Sequence, residues 1–273
     1  MTTHRAAPAA LVALLALTGC GSGDSPTVSE APSETPETSE APEPTDQPEP
    51  EEDPDLPSED QLQEFVDAIA ASTPSALRDA ADLVMPDSPA ADYLTYYTHN
   101  IEASIDAGLT EDGGESSDIE DGYEACATYD GETSCTAYTE STGRDGQIYS
   151  FLVEGREIED RLIVGSGESV ETLGGSTVEF IAAYLNANDT HLLVAYELHT
   201  GDARLQMPLT SYRGPSGRQS QSDGDWGARS LSPDSMSHYV ASFPSAELGG
   251  ELHLELVDED GWDMETVVLP TSG

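Results

Sequence analysis

Three cysteines and six histidines are the side chains of this 273-residue chain best equipped for chemistry, and their spacing gives them different prospects. Cys126 and Cys135 flank Asp130-Gly131, a dipeptide favoured in two-residue hairpins because both central residues take positive φ. Counting outward sets 129 opposite 132, 128 opposite 133, 127 opposite 134 and Cys126 opposite Cys135. Hydrogen-bonded and non-hydrogen-bonded pairs alternate along such a ladder, so the cysteines form a non-hydrogen-bonded pair with α-carbons about 4.5 Å apart. That spacing suits a disulfide, and an oxidising compartment makes the pair a cross-strand staple. A redox-active or metal-binding pair is the competing reading, but no C-x-x-C and no neighbouring histidine support it.

The remaining candidates are dispersed. Neither G-x-S-x-G nor H-E-x-x-H occurs, so a serine nucleophile elbow and a zincin helix have no anchor. His99, His191, His199, His238 and His253 show no i, i+2 or i, i+4 pairing of the kind that suggests zinc, and each reads as a surface or strand-face residue. Asp258-Glu259-Asp260-Gly261 falls short of a calcium loop, because Trp262 and Asp263 break the pattern and no acid stands at the twelfth position. A hairpin turn between the last two strands accounts for it. Asp223 and Asp225, in a long loop from Arg213 to Ser237, are the better cation candidates, although no metal site is expected. The same loop holds Trp226 between Arg218 and Arg229, either an exposed contact spot or a plug for a sheet edge. No catalytic residue and no cofactor are assigned.

The third cysteine sits in a different setting. Residues 9–17 run Ala-Ala-Leu-Val-Ala-Leu-Leu-Ala-Leu after a start whose one firm charge is Arg5. This stretch is too short for a bilayer core, which takes about 20 apolar residues, but it fits the apolar region of a secretory signal. Leu17-Thr18-Gly19-Cys20 follows, and it resembles the lipobox of bacterial lipoproteins. The resemblance implies cleavage of residues 1–19, lipid on Cys20 and residence on the outer face of the cell membrane, where Cys126 and Cys135 would be oxidised. From 20 to 58 the chain is almost wholly Pro, Glu, Ser, Thr, Asp and Ala, with 12 acids, no basic residue and only Val28 and Leu56 as larger aliphatics. Such a stretch cannot bury enough apolar surface to offset its ordering entropy, so a disordered acidic tether is expected.

Charge narrows the partners. The chain has 54 acidic residues against 9 basic ones, all arginine; beyond Ser58 there remain 42 acids and 8 arginines. Phosphate neutralisation needs a basic surface, so no nucleic-acid partner is expected. Acidity of this order repels other copies and is best tolerated in a cation-rich exterior. The Lys-free, Ala- and Gly-rich composition suits an actinobacterial source.

The elements that would position these residues divide into two groups. Residues 59–165 begin with three helices. Leu62, Phe65, Val66 and Ile69 stripe the first after Ser58, and Leu77, Ala81 and Val84 the second after Pro74. Leu94, Tyr97, Ile101 and Ile105 stripe the third, which ends at Gly108. Alternating strands follow, including Ile148–Val153 and a strand from about Glu159 to Val164. Helices followed by a curved antiparallel sheet resemble, in element order, the cone fold of the nuclear transport factor two-like superfamily; a helical hairpin on a meander is the alternative. That resemblance implies a ligand pocket at the cone mouth, with Tyr93, Tyr97, His99 and Tyr149 as candidate lining. A Gly-rich joint at 166–175 leads into strands at Val178–Asn186, Leu192–His199, Leu205–Tyr212, Tyr239–Phe243, Glu251–Val257 and Trp262–Leu269. Val178, Phe180, Ala182 and Tyr184 alternate on one face, and Leu252, Leu254 and Leu256 on another. Short strands at this density read as an immunoglobulin-like sandwich over 176–273. The phrase Phe243-Pro244-Ser245-Ala246-Glu247-Leu248-Gly249-Gly250 resembles one in the C-terminal sandwich of uncharacterised actinobacterial lipoproteins.

The expected fold class is therefore α+β. The expected function is a lipid-anchored envelope module that binds a cell-wall, protein or small-molecule partner through the cone mouth or the 213–237 loop. The rival is an enzyme or ligand-binding protein using a pocket in the cone-like part, and a plain structural spacer is third.

Overall fold

Each helix begins where a side chain can satisfy its free amides. Helix α1 (Glu59–Ala71) starts from Ser58, whose Oγ accepts from Gln61 N–H at 3.2 Å while Gln61 Oε1 accepts from Ser58 N–H at 2.9 Å. This reciprocal pair occupies two orphan donors. Helix α2 (Pro74–Ala80) and helix α3 (Pro89–Asp106) start from Thr73 and Ser88, each followed by a proline whose missing amide costs nothing at a first turn. The apolar stripe Leu62, Phe65, Val66 and Ile69 is buried as expected. The computed structural model describes residues 57–109, 113–129, 132–261 and 263–272. Cys20 with its signal peptide, the tether to residue 56, the Asp130-Gly131 turn and Trp262 lie outside the described residues. No described helix is long and apolar enough to cross a membrane.

Strands β1 (Glu115–Ile119), β2 (Gly122–Tyr129), β3 (Glu132–Arg144), β4 (Gln147–Val153) and β5 (Arg156–Glu157) form an antiparallel meander in sequence order. Cys126 faces Cys135 between β2 and β3, and the two are disulfide-bonded with α-carbons 4.0 Å apart. Loop entropy makes such a bond worth roughly 2.5–3 kcal/mol. Twelve further strands follow: β6 (Leu162–Val164), β7 (Ser169–Thr172), β8 (Ser176–Leu185), β9 (His191–His199), β10 (Leu205–Gln206) and β11 (Leu209–Arg213), then β12 (Gln219–Gln221), β13 (Gly224–Trp226), β14 (Ser230–Leu231), β15 (Met236–Pro244), β16 (Glu251–Val257) and β17 (Met264–Pro270). A second sheet runs β13-β15-β9-β8-β6, with β7 also on β8; a third runs β12-β11-β16-β17; β10 and β14 pair separately. The described fold is α+β with three helices, antiparallel sheets and β-sandwich character.

Several elements depart from expectation. The strand expected from Glu159 is the shorter β6, and it pairs with β8 of the second sheet rather than with the meander. Part of the glycine-rich stretch is itself a strand, β7. Pro208, which has no amide for a ladder, divides the expected Leu205–Tyr212 strand into β10 and β11. The long loop after Arg213 contains β12, β13 and β14. Ala81 lies past the end of α2 and is exposed.

The largest correction concerns β8. Phe180 pairs with Tyr196 and Ala182 with Ala195, so Ile181 is an extra residue in the ladder. Such a bulge reverses the faces beyond it. Val178 and Phe180 therefore pack into the core shared with the third sheet, beside Leu252, Leu254 and Leu256. Ala182 and Tyr184 turn to the opposite face and join the helices, together with Ala195 and Val240. Between helices and meander the space is filled by rings: Phe65 lies 5.2 Å and Tyr93 5.4 Å from Phe151, and the hydroxyls of Tyr93 and Tyr138 are 3.2 Å apart. Tyr96 packs 4.9 Å from Tyr184 on the other side of α3. Because α3 is covered from two sides, its burial does not follow one stripe, and Ile105 is 51% exposed.

Burial raises the phenol pKa of Tyr93, Tyr96, Tyr138, Tyr184, Tyr196 and Tyr239 above the ordinary value near 10, because an apolar surrounding disfavours phenolate. Unfolded tyrosines release protons that these folded ones keep, so their contribution to stability is complete below pH 10 and falls as pH rises further. In an alkaline titration, ultraviolet phenolate absorbance should report these six only as circular dichroism reports loss of structure. Smooth ionisation of all eleven tyrosines near pH 10 with the fold intact would contradict this packing.

Candidate functional site

On α3 the 3.6-residue turn places His99, Glu102 and Asp106 on one face. That face meets the second sheet. On β9, Glu197 and His199 point to the same side two residues apart, and on β15 His238 stands directly opposite Glu197. The result is a cluster of three imidazoles and three carboxylates from three elements. Nε2 of His238 lies 3.1 Å from Glu102 Oε2 and 3.9 Å from Glu197 Oε1. Nδ1 of His99 lies 3.8 Å from the same Glu197 oxygen, beyond hydrogen-bond reach. One nitrogen of His99, one of His238 and one oxygen of Glu197 all lie within 4.8 Å of one another.

The other ring nitrogens are held from behind. Tyr196 C=O accepts from His99 Nε2 at 3.2 Å. A carbonyl can only accept, so this contact puts the proton on Nε2 and leaves Nδ1 as a lone pair. Asp106 Oδ2 accepts from His238 Nδ1 at 3.0 Å, from His238 N–H at 2.8 Å and from Ser237 Oγ at 2.9 Å. His199 Nε2 lies 3.2 Å from Glu197 Oε2. Burial pushes the His99 pKa down to about 4, reinforced by His238 and opposed by the Tyr196 carbonyl, Glu197 and Asp106. A neutral His99 thus directs a lone pair at a carboxylate, two acceptors facing each other. A cation between them relieves that opposition. Alternatively, an imidazolium at His238 would bridge Asp106 and Glu102 as an ordinary half-buried ion pair.

Of the residues expected to line a pocket or contact a partner, only His99 belongs to this cluster. Tyr93 is core, packed against Tyr138 and Phe151. Tyr97 Oη donates to Ile69 C=O at 3.2 Å, near the end of α1. Tyr149 lies under the Arg144 guanidinium, 4.5 Å from ring centre to Cζ, on the β3–β4 hairpin. Of the four residues proposed to line one mouth, Tyr93 and Tyr97 stack with ring centres 6.2 Å apart, while His99 and Tyr149 lie elsewhere. Asp223 pairs with His191 at 3.2 Å, while Asp225 accepts from Thr210 Oγ1 at 2.6 Å and burial raises its pKa. Trp226 is half-buried: its Nε1 donates to Asn100 Oδ1 at 3.0 Å, and its ring packs against the helix core. Gly227 has φ 146°, and a Cβ there would sit 2.3 Å from the Tyr239 ring. Only glycine lets the chain leave Trp226 along this path. Asp225, Trp226, Gly227 and Arg229 border a cleft of about 460 Å³ completed by Ala107, Leu109, Gln206 and Met207.

Glu102, Asp106 and Glu197 carry no mark of their own in the sequence, and His99, His199 and His238 read there as surface or strand-face residues, whereas His99 is buried. The signals existed as mixed pairs, Glu197-x-His199 on a strand and His99-x-x-Glu102-x-x-x-Asp106 on a helix, whereas a search for paired histidines passes over both. No protein-family model matches the chain, and no curated protein matches it.

Asp106 is the hub of the hydrogen bonds on the β15 side. Asp106→Ala leaves the His238 amide and the Ser237 hydroxyl without their acceptor, a loss of about 2 kcal/mol for bonds to a charged group. Urea unfolding should show that drop, with Asp79→Ala on the exposed side of α2 near zero. An unchanged midpoint for Asp106→Ala would remove the hub from this account.

Proposed function

We propose that this chain is a lipid-anchored extracytoplasmic envelope protein whose folded part is a non-catalytic binding module. The observation that carries the reading is the disulfide between Cys126 and Cys135 in a chain that opens with an apolar signal-like stretch and Leu17-Thr18-Gly19-Cys20. Structural disulfides persist where the surroundings are oxidising, and the lipobox-like motif supplies a route there. The finer fold reading belongs to the same proposal: a cone-like part followed by an immunoglobulin-like sandwich, supported by three helices preceding a meander and by two sheets sharing a core.

The packing bears on where a partner would bind. Tyr93, Tyr138 and Phe151 are buried against one another between the helices and the meander, which favours a partner at the surface over a small ligand among them. The cleft beside Trp226 offers an aromatic face, Met207, Leu109 and Arg229 in one place. Aromatic and arginine side chains of this kind serve as anchors in protein interfaces.

Two measurements test the proposal. In cells fed labelled fatty acid, the full chain should carry label and sediment with membranes, and Cys20→Ser should do neither; label retained by Cys20→Ser would refute the anchor. Cell-wall and membrane extracts from the protein's own host should retain the full chain, and Trp226→Ala should weaken retention while His253→Ala does not. Equal retention of both variants would move the binding surface elsewhere.

A further inference from the structure

The cluster between α3 and the second sheet has the construction of a metal site rather than of a chance gathering of charge. We propose that His99 Nδ1, His238 Nε2 and Glu197 Oε1 bind one divalent transition-metal ion of the zinc class. Two imidazoles and a carboxylate are borderline donors that suit zinc and its neighbours over calcium or magnesium, which take all-oxygen sets. Metal–ligand bonds of about 2.0–2.2 Å in a tetrahedron set donor spacings of roughly 3.3–3.6 Å. Glu197 Oε1 lies 3.8 Å from His99 Nδ1 and 3.9 Å from His238 Nε2, and one nitrogen of each ring lies within 4.8 Å of the other, so side-chain rotations that draw the three together by up to about 1 Å would seat an ion. Glu102 Oε2, 3.1 Å from His238 Nε2, stands beside the set as the nearest fourth donor.

Two features point to a ligand independently of the clustering. His99 is a buried side chain, 6% exposed, whose Nδ1 faces Glu197 Oε1 at 3.8 Å, longer than a hydrogen bond. Each donor is also pinned through its other polar atom: His99 by the Tyr196 carbonyl, His238 by Asp106, and Glu197 by His199. Ligands held this way present a fixed lone pair to the metal, and the outer contacts raise their basicity. Because the donors come from α3, β9 and β15, an ion here would tie the helix to the sheet.

The inference does not depend on the lipid anchor, and Cys20→Ser should leave metal binding unchanged. The test uses the full chain, stripped with a chelator and titrated calorimetrically with Zn²⁺ in excess Mg²⁺, which occupies the many surface carboxylates. One zinc per chain should bind in a saturable step. Asp106→Asn should weaken that step by about 10- to 100-fold. His99→Gln and His238→Gln should weaken it more, while His253→Gln and Asp223→Asn leave it intact. Since a cluster variant can fail for want of folding, X-ray absorption on the Co²⁺-loaded wild-type chain gives a second readout, with imidazole nitrogen in the coordination shell expected. The proposal is overturned by the lack of a saturable step in Mg²⁺, by a step of equal strength in His99→Gln and His238→Gln, or by oxygen-only coordination of Co²⁺. The first of these is the result expected if His238 is instead an imidazolium held by Asp106 and Glu102.

Discussion

The second sheet has a covering layer on each side, the third sheet against one face and the helices against the other, and this double burial governs the rest of the described structure. A strand covered on one side can alternate apolar and polar residues, but a strand covered on both has no solvent side to fall back on. β8 meets the demand with mixed sizes: Val178 and Phe180 on the sandwich side, Ala182 and Tyr184 on the helix side. The change of allegiance within one strand requires the extra residue Ile181. Without that bulge, Tyr184 would point into the sandwich and the ring against which Tyr96 packs would be missing. On the helix side, β9 and β15 present Glu197 and His238 where α3 itself turns polar.

That polar end explains how so acidic a chain places carboxylates in a half-buried seam. Glu102, Asp106 and Glu197 are each within ion-pair distance of an imidazole. Histidine can accept or donate at either nitrogen, which lets one residue type complement carboxylates and a backbone carbonyl. Arginine is used differently. Arg161, buried among the second sheet's turns, donates to the carbonyls of Leu185 and Asn186 and pairs with Asp189 at 2.8 Å, fixing the β8–β9 connection.

Features written into short stretches of chain were legible in the sequence. The α1 stripe, the cap at Ser58, the opposition of Cys126 and Cys135, and the alternation of Leu252, Leu254 and Leu256 need only neighbours a few residues away. The turn at Asp258–Gly261 was also read correctly, with Gly261 N–H donating to Asp258 C=O at 3.1 Å. What escaped depends on distant partners. Nothing near Ile181 marks it as an extra residue, because the bulge is defined by its pairing with β9. Ile105 continues an apolar stripe in sequence, but α3 presents Glu102 and Asp106 to the sheet at that level. β6 follows the meander in the chain and yet pairs across to β8. The histidine cluster is the extreme case, since its members meet only once α3, β9 and β15 have packed. A second Asp-Gly hairpin, Asp145-Gly146 with φ of 54° and 76°, is as local a signal as the one between the cysteines.

The order of strands in the three sheets has a bearing on solubility. A sheet's outermost strand exposes unpaired amides and carbonyls that can template a foreign chain. Among the described residues, the meander ends in β1, which carries Glu115 and Asp118, and in the two-residue β5. The second sheet ends in the three-residue β13 and β6, and the third begins with the three-residue β12. Short or charged strands offer a poor ladder to an incoming segment. β17 differs: it is seven residues long, with Met264 65% and Val268 43% exposed. Its far end is Pro270, which has no amide to offer. Together with charge repulsion between copies, this leaves one side of one sheet as the place where unwanted strand addition would begin.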